Sequence, residues 1–216
     1  MRTTGGEIAA DVVVCCSFAW TNLWLAEAGI ALPIKSFVHQ RYTTEPARGA
    51  AVELLAVNAN FLGGYIRPAK GNRLLLGIET PQREEWLVNS LEFQMSSLKA
   101  ESSLSQELHA RFAAIVSNLD GLRFEQEHVG LITFSMDYEP VIGAVTAVPG
   151  LYVAAGFHSG GFAYNPATGV LLSELITLGK TGIDITAYAP DRFDPAQVDA
   201  YLATTIRQEE TAKRRH

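Results

Sequence analysis

Residues 149–162 read PGLYVAAGFHSGGF and join an apolar, strand-like run at 151–155 to a glycine-rich loop. An apolar sequence follows, in which Asn165-Pro166 is a candidate helix start and Gly179 a candidate helix end. Glycines let a ligand approach the backbone, and the free N–H groups of a helix start attract anions. The stretch therefore predicts a strand-loop-helix unit that faces an anion or a nucleotide, with a tight turn that binds no ligand as the alternative.

Three known loop motifs do not fit this stretch. Gly156 and Gly160 are too far apart for the dinucleotide pattern GxGxxG, and Phe162 stands where the phosphate loop GxxxxGK needs its lysine. The hydrolase pattern GxSxG centred on Ser159 has Phe157 in place of its first glycine. A serine hydrolase is therefore the least favoured of the enzyme classes, since His158 is adjacent to Ser159 and badly placed to act as its base.

Composition excludes several other classes of protein. The 216 residues carry 17 Lys and Arg and 23 Asp and Glu, a net charge of −6, which does not favour nucleic-acid binding. No apolar run is long enough for a membrane span, and Asp11 interrupts any signal-peptide core, so we expect a cytoplasmic protein. The adjacent Cys15 and Cys16 predict two small buried thiols, neither a disulfide nor a zinc or other metal site.

The remaining pattern predicts strands around an antiparallel block with two helices. We expect a strand over residues 7–16 that is buried on both faces, because its second half is continuously apolar. The other predicted strands are 36–45, 51–58, 65–68, 73–77, 122–134, 140–145 and 151–155. The predicted helices are Trp20 to Glu27, a helix from Thr80-Pro81 through the stripe Leu87, Leu91, Met95 and Leu98, a helix with a capping box at Ser103 and Gln106, and 196–208.

This order predicts an α/β domain interrupted by an α+β insertion. We assign residues 1–33 and 136–216 to one domain, and residues 34–135, an antiparallel sheet plus two helices, to the inserted domain.

Four stretches together resemble the D-amino-acid oxidase-like family of FAD-dependent oxidoreductases, which includes glycine oxidase, sarcosine oxidase and dimethylglycine dehydrogenase. They are 6–21 (GEIAADVVVCCSFAWT), 137–143 (DYEPVIG), 149–162 (PGLYVAAGFHSGGF) and 190–193 (PDRF). The resemblance implies a truncated FAD-binding Rossmann-like domain with an inserted substrate-binding domain. The family's amino-terminal GxGxxG unit has no counterpart in this chain.

The resemblance implies non-covalent FAD and oxidation of an amino acid or a secondary or N-methylated amine by hydride transfer to flavin N5. The implied cofactor-binding residues are Gly156, Phe157, His158, Ser159, Gly160, Gly161, Phe162, Ala19 and Trp20, with Asp137 and Gly143 shaping the adjacent turn. The alternative is a non-catalytic fragment, or a subunit that needs a separate FAD-binding half or associates with itself. We expect the isolated chain to be inactive, and no catalytic residue is named.

Departures from the family pattern concern the cofactor and the substrate. Phe18 stands where the family has glycine, and His158-Ser159 replaces a more usual Ser-Gly order. Ile132 takes the place of the arginine that binds the substrate carboxylate in one branch, and Gly130 that of a flavin-linked cysteine in another.

Two side chains are candidates for the substrate site. Arg67 is a candidate for carboxylate binding, since a guanidinium fork suits that group, although an exposed strand arginine is the simpler interpretation. His39 belongs to an "HQY"-like strand of the family and is a candidate to line the pocket, with a half-exposed strand histidine as the alternative.

Overall fold

The computed structural model describes residues 2–47, 55–78, 85–99, 102–116, 119 and 121–205. The chain divides into two compact units. The first unit comprises Met1–Ser36, Trp86–Glu92 and Ile132–Thr205, and the second comprises Phe37–Glu85, Phe93–Leu131 and Ile206–His216. The assignment of domains to residues 1–33, 34–135 and 136–216 stays a prediction, as does their role in binding FAD and substrate.

Ten strands and four α-helices make up the described secondary structure. The strands are β1 (Arg2–Thr3), β2 (Gly6–Glu7), β3 (Val13–Cys15), β4 (Ile34–Thr44), β5 (Val57–Ala59), β6 (Gly64–Ala69), β7 (Arg73–Ile78), β8 (Phe124–Ser135), β9 (Val141–Ala144) and β10 (Leu151–Ala155). The helices are α1 (Thr21–Ala26), α2 (Ser102–Ala113), α3 (Gly161–Leu178) and α4 (Pro195–Ala203). No helix among the described residues combines the length and the apolar character that a membrane crossing requires.

A three-stranded sheet in the order β3-β10-β9 organises the first unit. Strand β10 runs parallel to β3, with Tyr152 opposite Val14, and antiparallel to β9, with Val153 opposite Gly143. Because successive side chains point to opposite faces, β10 contributes to two apolar clusters. One contains Cys15, Leu25, Leu32, Ile34, Val141, Val145, Val153 and Ala155, and the other contains Ile142, Ala154, Leu172 and Ile185.

Strand β3 is not buried on both faces, so that expectation is wrong. Val13 and Val14 are 37% and 40% exposed, and only Cys15 is buried. The reason is position: β3 is an edge strand of its sheet among the described strands, so one side lacks a neighbour. Both thiols are free, as expected, but Cys16 is exposed rather than buried.

The second unit is built on a five-stranded sheet in the order β5-β6-β7-β4-β8. The β6–β7 hairpin turns at Gly71 and Asn72, whose φ angles of 78° and 55° lie in the left-handed region that these two residue types tolerate. One face of the sheet packs on α2. This cluster includes Tyr42, Ile66, Leu74, Leu76, Ile78, Leu108 and Phe112, all of them 2% exposed or less.

The helix predicted from residue 80 to residue 98 is wrong over the residues that the structure describes. Thr80 and Pro81 lie outside them, and residues 85–99 contain only the 3₁₀ turn Met95–Ser97. Leu87 and Leu91, two members of the predicted stripe, are 78% and 60% exposed. Regular spacing did not produce a helix, and the predicted stripe is only partly covered, since Leu98 is buried while Leu87 and Leu91 are exposed.

Helix α3 begins at Gly161, four residues before the predicted start at Asn165, and Pro166 lies inside it. Pro166 is the sixth residue of the helix, so it lacks the backbone donor that would bond to the carbonyl of Phe162. The C-terminus agrees with the prediction: Gly179 has φ 69°, and its N–H donates to the carbonyl of Leu175 at 3.1 Å. The early start places the helix N-terminus directly after the glycine loop.

Candidate functional site

The glycine loop runs from the end of β10 to the first residue of α3. Gly156 leaves the strand with φ 70°, a conformation that favours glycine. Residues His158–Gly160 form a 3₁₀ turn, closed by a bond from the Gly160 N–H to the Phe157 carbonyl at 2.9 Å. The first N–H groups of α3 have no partner within their own helix. The loop therefore presents backbone donors at a helix N-terminus, the arrangement that suits a negatively charged ligand group.

Two positions of the loop stand out: Gly160 has room only for a small residue, and Phe162 exposes a large one. A Cβ atom at Gly160 would lie 2.3 Å from the ring of Tyr164, so glycine fits there without displacing that ring. Phe162 is 96% exposed, which is unusual for a phenylalanine. The loop thus packs closely against a ring at Gly160 and holds the ring of Phe162 in solvent.

His158 is the unusual side chain of the loop. Its φ is 45°, and its ring stacks on Phe134 with centroids 6.1 Å apart and meets Tyr164 edge-on at 6.0 Å. Its Nε2 atom is buried and has no hydrogen-bond partner among the described residues. Burial lowers the pKa of His158, so the ring is neutral at pH 7. A strained backbone and an unsatisfied buried nitrogen coincide at this residue.

Ser159 does not assemble the site of a serine hydrolase. It is exposed, and neither a histidine nor a carboxylate bonds to its hydroxyl among the described residues. The neighbouring imidazole is held instead between Phe134 and Tyr164. The geometry therefore agrees with the low rank given to that class of enzyme.

Residues Phe18–Trp20 form a 3₁₀ turn before α1. Phe18 has φ 53°, and its carbonyl accepts a bond of 2.8 Å from the Oγ1 of Thr21. This is the position at which the family pattern has glycine. The backbone conformation that glycine favours is thus retained, while the side chain is 39% exposed. Ala19 and Trp20, the other candidates in this segment, are both partly buried.

The turn after β8 lies against the glycine loop. Phe134 forms an isolated antiparallel bridge with Phe157, and a Cβ atom placed at Gly156 would lie 3.6 Å from the Cβ of Ser135. Ser135 Oγ lies 2.9 Å from Asp137 Oδ1, which also accepts the Glu139 N–H at 3.0 Å. Asp137 thereby shapes this turn.

Arg192 pairs with Asp137, and the pair determines the charge state of that carboxylate. Burial alone would raise the pKa of Asp137, but hydrogen bonds from Arg192 and Ser135 outweigh it and hold the pKa below its ordinary value. Gly143, the second residue expected to shape the turn, has φ 148°, and a Cβ atom there would lie 3.1 Å from Pro190.

The two substrate candidates, His39 and Arg67, lie in the second unit on one face of its sheet. His39 is on β4 and Arg67 on β6, both facing away from the cluster that contains Tyr42 and Ile66. His39 stacks with Tyr65, with ring centroids 6.4 Å apart. Arg67 is exposed, and the one hydrogen bond of its side chain to another described residue is a long one of 3.4 Å to the carbonyl of Pro68.

Tyr65 and Gly77 were missed by the sequence reasoning. A Cβ atom at Gly77 would lie 2.2 Å from the Tyr65 ring, so this glycine makes room for the ring on the same face as His39. The signal in the sequence is weak, because a tyrosine and a glycine in a hairpin have many structural uses. Cross-strand register, with Tyr65 opposite Gly77, is what brings them together.

Cysteine and metal chemistry have no support in the described residues. Cys16 is exposed as a residue, but partial burial of its thiol raises the pKa, and the adjacent Cys15 raises it further, so the thiol stays protonated at neutral pH. No cluster of His, Cys, Asp or Glu within the described ranges has the arrangement of a metal site.

Comparison with known proteins gives a family match. The model of a family described as FAD dependent oxidoreductase matches residues 1–175. Glycine oxidase of Geobacillus kaustophilus is 29% identical over 200 residues, which cover 89% of this chain and 47% of that protein. The 4-methylaminobutanoate oxidase (formaldehyde-forming) of Paenarthrobacter nicotinovorans is 28% identical over 199 residues, covering 90% of this chain and 24% of that protein.

Solved structures agree with the sequence match. L-proline dehydrogenase from P. horikoshii superposes with a TM-score of 0.76 at 29% identity, over 89% of this chain and 49% of that one. The structure of the Geobacillus kaustophilus glycine oxidase gives a TM-score of 0.75 at 25% identity, over 89% and 48% of the two chains. The chain spans about half the length, or less, of the relatives that it matches.

Proposed function

The chain belongs to the FAD dependent oxidoreductase family, and from that premise we propose that it contributes the flavin-facing loop and the substrate face of an enzyme that oxidises the C–N bond of an amino acid or an N-methylated amine. The observation that carries the proposal is the glycine loop before the N-terminus of α3, with the positive φ of His158 and its buried Nε2 atom, which has no partner among the described residues. Substrate names of the relatives support the class, since glycine, proline and 4-methylaminobutanoate are all small amino acids.

The residues proposed to hold FAD are those of the loop, Gly156 to Phe162, together with Ala19 and Trp20. Bound FAD would supply the two-electron oxidant for the C–N bond of the substrate, whose imine product would be hydrolysed by water. The loop backbone and the α3 N-terminus favour negative charge beside them. The exposed ring of Phe162 offers a flat apolar contact for an aromatic cofactor.

FAD is proposed to bind without a covalent link. Gly130 stands at the position where one branch of the family has its flavin-linked cysteine, and the raised pKa of Cys16 disfavours its reactive thiolate form. Denaturing the loaded protein in acid should release all of the flavin into the supernatant, whereas yellow colour retained in the pellet would contradict this.

The proposed substrate contacts come from the outer face of the sheet in the second unit. Arg67 is free to present its guanidinium fork to a carboxylate, a group shared by the three substrates that the relatives' names give. The stacked pair of His39 and Tyr65 offers an apolar wall beside it. We expect Arg67→Gln to raise KM for an amino-acid substrate with little change in kcat, because the carboxylate is bound equally in the ground and transition states.

The second candidate function is a subunit that acts only with a separate FAD-binding half. Its support is apolar surface in the first unit: Val13 and Val14 on the edge strand β3, and Val170 and Leu178 on α3, the last two being 59% and 67% exposed. Soluble proteins cover such surfaces with further chain or a partner. Size-exclusion chromatography with light scattering distinguishes a lone monomer from a self-associated or partnered chain.

A titration of FAD into the purified chain, followed by quenching of flavin fluorescence, tests the first candidate. Saturable binding that weakens in Phe162→Ala, by roughly twofold to tenfold on the usual strength of an aromatic contact, supports the proposed loop site. Phe61→Ala is the matched control, because Phe61 is also largely exposed, at 78%, but lies in the second unit. Glycine, sarcosine, proline and D-amino acids are then tested for flavin bleaching.

Absence of FAD binding by the purified chain, with intact folding, would refute the first candidate for this chain alone and favour the second. Binding that is equally weakened by both phenylalanine variants would refute the loop as the site.

A further inference from the structure

We infer that Arg192 and Asp137 are a positioning pair that fixes the shape of the glycine loop, an inference that rests on the loop being the proposed flavin site. Arg192 lies outside the residues 1–175 that the family model matches. It belongs to the PDRF segment, which the sequence resemblance included without giving it a role.

The contacts of Arg192 use its whole guanidinium group. Nε donates to Asp137 Oδ2 at 2.8 Å, and Nη2 donates to Asp137 Oδ1 at 2.9 Å and to the Glu139 carbonyl at 3.0 Å. Nη1 donates to the carbonyls of Tyr188 and Ala189 at 2.8 and 3.1 Å. All five N–H donors of an arginine are therefore satisfied, and no lysine reproduces this fork.

Burial makes the pair more than an exposed ion pair. The side chain of Arg192 is 12% exposed, and that of Asp137 is 37% exposed. The guanidinium also lies 4.1 Å from the centre of the Phe193 ring. A bidentate pair with a largely buried arginine holds its geometry better than a flexible surface pair, because neither side chain is free to leave without breaking several bonds.

The pair reaches the glycine loop through the turn of residues 134–139. Asp137 Oδ1 is bonded to Ser135, Glu139 and Arg192, so its position determines the path of that turn. Ser135 packs under Gly156, and the preceding residue Phe134 forms the bridge with Phe157.

The same turn sets the surroundings of the histidine in the loop. Phe134 stacks on His158 and also contacts Tyr138, which has φ 65°. Movement of the turn would remove the support of Gly156, Phe157 and His158 together. Arg192 and Asp137 themselves need not touch the cofactor, which is why they are positioning residues rather than catalytic ones.

Hydrogen–deuterium exchange of the isolated chain, without FAD, tests the pair directly. We expect Arg192→Lys and Asp137→Asn to speed exchange of the loop amides, that of Gly160 among them, by about tenfold or more, the change that follows from losing a hydrogen bond to a charged group. Amides of β6 and β7 should keep their native rates.

Arg73→Lys is the matched control for this experiment. It breaks an arginine–carboxylate pair with Glu125 in the second unit, and it should leave the loop amides unchanged. Asp137→Asn retains the size of the side chain, so it decides the matter if Arg192→Lys does not fold. The inference is overturned if loop exchange stays native in the folded variants, or if every amide accelerates by the same factor, since the latter result indicates a purely global structural role.

An FAD titration of the same variants separates this inference from the proposed function. If the native chain binds FAD, both variants should bind it at least about tenfold more weakly, and Arg73→Lys should bind it normally. Native FAD affinity in the folded Arg192→Lys and Asp137→Asn chains would overturn the link between the pair and the site. If the native chain binds no FAD, the proposed function fails for this chain, while the exchange rates still decide whether the pair positions the loop.

Discussion

Replacing Phe18 tests whether the backbone next to Ala19 and Trp20, two residues proposed to hold FAD, is built for glycine. Phe18 has φ 53°, held by the bond from Thr21 Oγ1 to its carbonyl. The two informative variants are Phe18→Ala and Phe18→Gly. Both lose the same phenyl ring, so the loss of apolar contact cancels when they are compared with each other.

The difference in unfolding free energy between the two variants follows from two opposing effects. A left-handed conformation costs an L-residue roughly 1–2 kcal/mol, a cost that glycine avoids. Glycine lowers the stability of the folded chain by roughly 0.5–1 kcal/mol relative to alanine, because it gives the unfolded chain more conformational freedom. We therefore expect Phe18→Gly to be more stable than Phe18→Ala by about 0.5–1 kcal/mol.

Urea unfolding followed by tryptophan fluorescence gives both free energies. Ala19 supplies an internal control one residue away, since it lies in the same 3₁₀ turn without a positive φ. At this position glycine should be less stable than alanine, so Ala19→Gly should lower the unfolding free energy by about 0.5–1 kcal/mol. Phe18→Gly being no more stable than Phe18→Ala would refute the reasoning about the backbone. Loss of FAD binding in the glycine variant alone would contradict the proposal that FAD lies beside this segment.

Two further predictions concern stability and pH. Gly64→Ala should lose about 1–3 kcal/mol of unfolding free energy, because its Cβ atom would lie 2.6 Å from the backbone oxygen of Gly77. Gly130→Ala is the control, because a Cβ atom there meets open space, and its unfolding free energy should hardly change. His158 has a folded pKa below its unfolded value of about 6.5, so the unfolded chain takes up the proton first and native stability falls as pH drops through about 6.5. His158→Asn lacks this titration. Between pH 8 and pH 5 the native chain should therefore lose more unfolding free energy than the variant does. A difference in unfolding free energy that does not vary with pH would contradict this.

Local patterns were sufficient for the elements that have their own start and stop signals. A helix was expected near Ser103 and α2 covers Ser102–Ala113, although Ser103 lies inside the helix rather than at its cap. The turn at Gly71 agrees with the β6–β7 hairpin, and Gly179 with the end of α3. The errors arose where a segment's structure or exposure depends on whether other parts of the chain bury it. The stripe at Leu87 and Leu91 had helical spacing but is exposed, and the valines of β3 lie on an edge. Burial depends on what covers a segment, and that is a property of neighbours distant in sequence.

The candidate site was only partly accessible to sequence reasoning for a related reason. The loop of residues 156–162 was identifiable, because glycine spacing and the following helix are local signals. The pairing of Asp137 with Arg192 joins residues 55 positions apart, and the stacking of His39 on Tyr65 depends on the order of three strands. Neither contact can be recognised from the spacing of these residues in the sequence.

Backbone strain connects three of the four stretches that carried the family resemblance. Among the described residues, the non-glycine positions with positive φ are Phe18, Asn72, Tyr138 and His158. Asn72 is in a hairpin turn, where asparagine tolerates this conformation. The other three are bulky and ring-bearing, and one lies in each of the stretches 6–21, 137–143 and 149–162. Such residues cost about 1–3 kcal/mol each and persist only where their surroundings impose them, as ligand sites do. The family pattern has glycine at the position of Phe18. This chain therefore combines a backbone conformation that glycine favours with a larger side chain at that turn.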